Sequence, residues 1–314
     1  MVRHMARRTL AVAMAAAATL MLTGLPASAI TTGQPDRHEH PFVGELLFYV
    51  PDEVDPRFND PGAWFTCTGT MLSPTVIVTA GHCTYGVGDN GASTTQGGGD
   101  GSGGTDIWFT NLQHADFDGL PPSVNYAPNH NEQRYHDWVS WLNSSPNWHR
   151  GTAYPHPEFS SGPFYVHDAG VVVLNDAFNV GEYGRVPHLD VLNRYAGDAH
   201  HLFEVVGYGL TDSGPFTSEG GDVRLKALVK LNTLKSSPKD TFILLSNNRG
   251  TPHPGGTCFG DSGGPTFKNT HSDVVVAVTS FGQGQNPNCT GVGGAYRLDR
   301  PDDLAFLAGF GITP

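Results

Sequence analysis

Residues 223–231, VRLKALVKL, alternate in polarity: Val223, Leu225, Ala227, Val229 and Leu231 fall on one face, and Arg224, Lys226 and Lys230 on the other. A period of two marks a strand with one buried face. Five further apolar runs bounded by Gly, Pro, Asn or Ser have the same β-rich character: TVIVTA (75–80), GVVVL (170–174), FEVVGYGL (203–210), TFILLS (241–246) and VVVAVTSFG (274–282). Helical periodicity is nearly absent. It is found in DDLAFLAGF near the C-terminus, where Leu304, Leu307 and Phe310 form a stripe for one short helix, and at Trp138, Trp141 and Leu142. Many short strands without intervening helices predict a sandwich or barrel rather than a parallel α/β sheet.

Two stretches interrupt the strand pattern. Residues 86–106 are dominated by Gly, Ser, Thr and Asn and hold too little apolar surface to order themselves, so a flexible surface loop is expected there. The chain from there to about residue 150 carries Trp138, Trp141 and Trp148. An inserted helix packed against the barrel is the commoner explanation, with a substrate-binding aromatic patch as the alternative. No internal repeat is present.

The N-terminus changes the picture of where the chain resides. Arg3, Arg7 and Arg8 precede an apolar run from Leu10 to Leu22 and then Ala27-Ser28-Ala29, the pattern of a signal peptide cleaved after Ala29. The run is too short to span a bilayer, and Arg7-Arg8 leaves the twin-arginine export route open beside the general one. Residues 1–29 are therefore expected to be a leader and 30–314 the secreted protein. Removing the leader's three arginines leaves 15 basic residues against 30 acidic ones, so the net charge moves from −12 to about −15. Such a balance argues against a nucleic-acid or anionic-membrane partner, because phosphate binding needs clustered Lys and Arg. Four cysteines in an exported chain point to two disulfides. They allow three pairings, of which Cys67 with Cys83 and Cys258 with Cys289 is the most local.

Candidate chemistry centres on TCFGDSGGP, residues 257–265, where Ser262 lies in a G-x-S-x-G run from Gly260 to Gly264. The first candidate is the nucleophile elbow of an α/β-hydrolase, whose acid and histidine follow the serine. Only 52 residues follow Ser262, with His271 the only histidine among them, too little chain for the missing half of that fold. The second candidate takes its base and carboxylate from upstream. VTAGHC (78–83) supplies His82 just after an apolar strand, and HDAGVVVL (167–174) supplies Asp168 at the mouth of another.

With these segments in the order His82, Asp168, Ser262, the sequence resembles the trypsin/chymotrypsin family of secreted serine peptidases, whose hallmark segments are of the types TAAHC, DIALL and GDSGGP. The resemblance covers Ile30 to about Leu298 and implies an all-β fold of two packed six-stranded antiparallel β-barrels with a short C-terminal helix. It implies a serine endopeptidase acting on protein or peptide substrates, without a cofactor or metal: Ser262 as nucleophile, His82 as general base and acid, and Asp168 orienting His82. Gly260 and Gly263, lacking Cβ atoms, would let the backbone aim the N–H groups of Gly260 and Ser262 at the developing oxyanion. The 86 residues from His82 to Asp168 exceed the family's usual spacing, the excess falling within 86–150, and HPEF (156–159) restores the family's look.

By family position the base of the primary specificity pocket would be Gly256, with Thr257 beside it, Ser280-Phe281-Gly282 as one wall and Gly294 in the opposite wall. Without an acid at 256, a medium or large apolar side chain is expected in the pocket rather than Lys or Arg. ITTG (30–33) resembles the family's mature start, so the ammonium group of a freshly cut Ile30 is expected to pair with Asp261. Two rivals belong to other classes. An inactive binding module on the same fold usually loses a triad member, and this chain keeps all three. A metal-binding protein is raised by 15 histidines, including HEH at 38–40 and His200-His201, but no HExxH or paired-cysteine spacing appears.

Overall fold

The computed structural model describes residues 30–55, 60–95, 103–159, 166–198, 201–213, 218–236, 240–248, 255–283 and 289–314; the expected leader, residues 1–29, lies outside the described residues. A two-residue strand, β1 (Gln34–Pro35), precedes two barrels. The first consists of β2 (Val43–Val54), β3 (Pro61–Met71), β4 (Val76–Thr79), β5 (Ile107–Thr110), β6 (His149–Pro155) and β7 (Gly170–Leu174). They pair in the order β2-β3-β4-β7-β6-β5, and β5 returns to β2 to close the barrel.

The second barrel starts with β8 (Leu202–Gly207), followed by a separate hairpin of β9 (Leu210–Ser213) and β10 (Ser218–Gly220). It continues through β11 (Leu225–Ser236), β12 (Phe242–Ser246), β13 (Pro265–Phe267), β14 (Val275–Gln283) and β15 (Val292–Arg297). The order β8-β11-β12-β15-β14-β13 closes when β13 pairs with β8, while β1 adds to the end of β11. Closure leaves neither barrel with a free edge, which suits a chain of short strands. One apolar core fills the first barrel and reaches across to Phe242, Tyr296 and Leu307; a second lies inside the other barrel around Phe203, Val229 and Ile243.

The alternation of 223–231 is realised in β11, where Leu225, Val229 and Leu231 are buried. Arg224 departs from it. Expected on the polar face, it is fully buried, with Nε 2.9 Å from Asp36 and Nη1 donating to the carbonyls of Val43 (2.8 Å) and Asn111 (2.7 Å). The N-terminal segment covers it, and a buried guanidinium needs this set of acceptors.

The tryptophan-rich stretch forms α1 (Asn131–Ser144), which packs on the outside of the first barrel. Leu142 is buried with Leu47, Trp108 and Trp148, and Trp138 donates its indole N–H to the carbonyl of Pro121 (2.8 Å). The glycine-rich stretch differs from the flexible loop expected. Its ends are tied down: Asp106 is fully buried and accepts bonds from the Gly91 amide (2.7 Å), the Tyr135 hydroxyl (3.1 Å) and Arg150 (3.0 Å). One buried carboxylate orders backbone that composition alone assigns to solvent; residues 96–102 lie outside the described residues. The short C-terminal helix, α2 (Pro301–Ala308), begins with Pro301 in its first turn and buries Leu307. Among the described residues no helix is long and apolar enough to cross a membrane.

Candidate active site

Strand β4 runs into a single 3-10 turn, Gly81–Cys83, which presents His82. Cys83 in that turn is bonded to Cys67 on β3, and the Thr84 hydroxyl closes the turn on the Gly81 carbonyl (2.8 Å). Asp168 stands two residues before β7, whose Gly170 pairs with Thr79 of β4. Antiparallel pairing of β4 with β7 thus brings together two residues far apart in sequence. Asp168 is fully buried; it accepts the His82 backbone amide (2.9 Å), and its oxygens lie 3.1 and 3.0 Å from Nδ1 of His82. A carboxylate there makes Nδ1 the proton-bearing nitrogen and leaves the Nε2 lone pair available. Ser280, expected in the pocket wall, also donates its hydroxyl to Asp168.

Ser262 comes from the second barrel, on the loop leading to β13. Its neighbours Gly260 and Gly263 have φ of 94° and 76°, left-handed values that favour glycine. At Gly263 a Cβ would stand 1.9 Å from Thr79 Oγ1 and 2.6 Å from the Thr68 carbonyl, so this loop lies directly on the first barrel. The amides of Gly260 and Ser262 donate to no acceptor among the described residues. His82 and Ser262 line one cleft of about 840 Å³ between the barrels, together with Phe48, Trp64, Phe65 and Phe259.

The expected partner of the N-terminus sits beneath this loop. Asp261 is fully buried, and its carboxyl accepts the amides of Gly209 (2.8 Å) and Cys258 (2.8 Å). Burial pushes its pKa up to about 7, against the opposing effect of the two amides. Ile30 is fully buried in the second core, and the Thr31 amide donates to the carbonyl of Gly256 (3.0 Å). The start of the described chain is thereby docked on the segment leading to Asp261.

A family model described as Trypsin matches residues 131–297, more than half of the chain. The chain belongs to the trypsin family. Among solved structures, HL collagenase matches with a TM-score of 0.59 at 14% identity, covering 91% of this chain and 100% of that one. At that identity the likeness is one of fold. No curated protein matches the chain at a significant level. Within the trypsin family's two-barrel frame, the second disulfide, Cys258–Cys289, ties the loop before Ser262 to the chain entering β15.

Gly294 carries the Phe281 ring against its Cα, where a Cβ would meet that ring at 2.3 Å. The glycine paired with Gly282 is Gly293. A two-residue run of glycines hides this in the sequence, since register decides which of the two faces Gly282. Gly256, expected as the pocket base, lies against Asn247, and Thr257 accepts the Asn247 side-chain N–H (3.1 Å).

Sequence reading also missed Thr68. It is fully buried on β3, and its hydroxyl donates to the Gly260 carbonyl (2.9 Å) and accepts the Tyr208 amide (3.1 Å). A threonine one residue after Cys67 in a β-rich run carries no local signal of this role.

His156, Glu158 and His167 form a group whose ligand-type atoms lie within 4.8 Å of one another. Nδ1 of His156 is already engaged by the Glu158 amide (3.1 Å), and Nδ1 of His167 faces Asp302 (3.0 Å). The other group, Cys67, His82 and Cys83, contains a disulfide, whose sulfurs are not thiolate ligands.

Proposed function

We propose that the protein is a secreted serine endopeptidase, produced with a leader over residues 1–29 and active as a single peptidase domain, 30–314, carrying an insertion within 86–150. The observation that carries this reading is the buried Asp168 at Nδ1 of His82, with His82 and Ser262 lining one cleft of a trypsin-family fold. In the reaction, Nε2 of His82 takes the proton from the Ser262 hydroxyl as its oxygen adds to the carbonyl carbon of the scissile peptide bond. The carbonyl oxygen becomes an oxyanion facing the amides of Gly260 and Ser262. Collapse breaks the C–N bond, and the imidazolium returns its proton to the leaving amine. Water repeats the sequence on the acyl-enzyme to release the acid.

Two features support peptide substrates over other partners. The cleft is open and runs between both barrels, and the acidic chain offers no basic surface for nucleic acid or anionic lipid. Activation would follow from export. Cleavage after Ala29 turns the Ile30 nitrogen from an amide into an ammonium group, which can pair with Asp261 and offset the cost of its buried charge. The test is covalent labelling. A sulfonyl-fluoride or fluorophosphonate probe should add one label, on Ser262, and Ser262→Ala should abolish both labelling and turnover while the melting temperature is retained. A label on another serine, or none on the folded, processed protein, would sink the reading.

A further inference from the structure

Two glycines near the expected specificity pocket, Gly256 and Gly293, lie against one polar side chain, Asn247. Paired residues share a face of an antiparallel sheet, so Gly282 on β14 and Gly293 on β15 face the same side. At Gly282 a Cβ would meet nothing within 4 Å among the described residues. At Gly293 a Cβ would stand 3.0 Å from both Nδ2 and Oδ1 of Asn247 and 3.2 Å from Thr257 Oγ1. At Gly256 it would stand 2.5 Å from the Asn247 Cγ. The carboxamide therefore fills the space beside Gly256 and Gly293, on the sheet face that Gly282 shares.

Its polarity is fixed by its own bonds. Nδ2 donates to the Thr257 carbonyl (3.1 Å), and turning the amide over would set oxygen against oxygen. Oδ1 is thereby committed to the other direction. Asn247 is only 3% exposed, and Oδ1 is buried without a hydrogen-bond partner among the described residues. A buried acceptor left in this state is costly and calls for a donor.

We propose that Asn247 is the specificity-determining floor of the primary pocket and selects substrates whose side chain before the scissile bond ends in an uncharged hydrogen-bond donor. The assignment rests on the peptidase reading above and replaces the purely apolar pocket expected from the sequence. A tyrosine hydroxyl or a glutamine carboxamide can donate to Oδ1 after passing the bare walls at Gly282 and Gly293. A lysine or arginine side chain would bring a full charge onto a neutral acceptor, where desolvation is not repaid by a counter-charge. An apolar side chain would fill the space and leave Oδ1 unpaired.

The test compares kcat/KM for peptides identical except before the scissile bond: Tyr against Phe, Gln against Met, and Lys. A site that hydrogen-bonds its substrate discriminates strongly against the analogue lacking the donor. Tyr over Phe and Gln over Met by roughly tenfold or more is expected, with Lys poorest. Asn247→Leu, which removes the acceptor at similar volume, should bring both ratios to one or below. Equal cleavage within each pair, a dominant preference for Lys, or ratios unchanged in Asn247→Leu would overturn the proposal. Fluorophosphonate labelling, which needs no side chain in the pocket, separates the two levels of inference. Labelled wild type without discrimination removes the Asn247 assignment alone; unlabelled wild type removes the peptidase reading and this assignment with it. Labelling of Asn247→Leu at the wild-type rate verifies that the variant is folded, and the wild-type ratios stand as a test even if that variant fails to fold.

Discussion

The amide of Thr68, on the first barrel, donates to the carbonyl of Ser262, carried by the second, at 2.8 Å. The Thr68 hydroxyl adds bonds to Gly260 and Tyr208 of the second barrel, so one buried residue fastens the serine loop across the barrel interface. Thr68→Val keeps the shape and the backbone amide but strands the Gly260 carbonyl and the Tyr208 amide. Stability should fall by about 1–3 kcal/mol. In the proposed mechanism the Gly260 amide faces the oxyanion, so a loosened loop should lower kcat roughly tenfold with little change in KM. An unchanged kcat in a stable Thr68→Val protein would remove this residue from the positioning of the loop.

Asp168 orients His82 through Nδ1, and an asparagine at that position can present N–H to Nδ1 and stabilise the wrong tautomer. Asp168→Asn should therefore lower kcat by roughly 10⁴-fold, the size known for this change in the template enzyme of the mechanism, while leaving the fold intact. Burst kinetics with an activated ester would check that acylation is the step lost. A loss of less than about tenfold would show that His82 does not act through this carboxylate.

The Asp261 carboxyl gives a pH signature to the unprocessed chain. Its pKa is pushed up to about 7 in the folded protein, from an ordinary value of 3.8. Between these values the folded state holds a proton that the unfolded state has released. Stability therefore falls as pH rises through that interval, with no penalty below about 4 and the full penalty above about 7. An ammonium group at Ile30 favours the ionised carboxylate and should flatten this slope. Melting temperatures of a cleavage-blocked chain and of the chain starting at Ile30 should diverge from about pH 5 upward, the blocked form being the weaker. Asp261→Asn should erase the difference; identical profiles for the two chains would count against the ion pair.

Arg224 and Asp36 form a buried pair that pins the N-terminal segment over β11. Asp36 keeps Nδ1 of His40 at 2.5 Å when the guanidinium is removed, so Arg224→Met should cost about 1–3 kcal/mol, read from the urea midpoint. Since this segment leads from Ile30, the processed enzyme should also lose activity at temperatures below its global melting point. A cost below about 1 kcal/mol would mean that Asp36 and the carbonyls of Val43 and Asn111 are readily resolvated.

The strands GVVVL, TFILLS and VVVAVTSFG were legible because apolar runs and their breakers are local properties, and β7, β12 and β14 fall within a residue of them. The segments around His82, Asp168 and Ser262 were legible for a related reason: glycine, cysteine and strand-end positions near each one are written in consecutive residues. The inserted helix α1 followed from the spacing of Trp138, Trp141 and Leu142. What a residue meets across the fold was not legible. Arg224 and Asp106 look solvated in sequence and are buried, because the N-terminal segment and Tyr135 arrive from distant parts of the chain. That Gly294 pairs with Phe281 and Gly293 with Gly282 was hidden too, because strand register decides the pairing. Thr68 and Asn247 are ordinary polar residues until barrel closure brings their partners to them. Sequence determined the chemistry available and the strands that carry it; the tertiary structure decided burial and pairing, since both depend on contacts between residues that chain order does not place together.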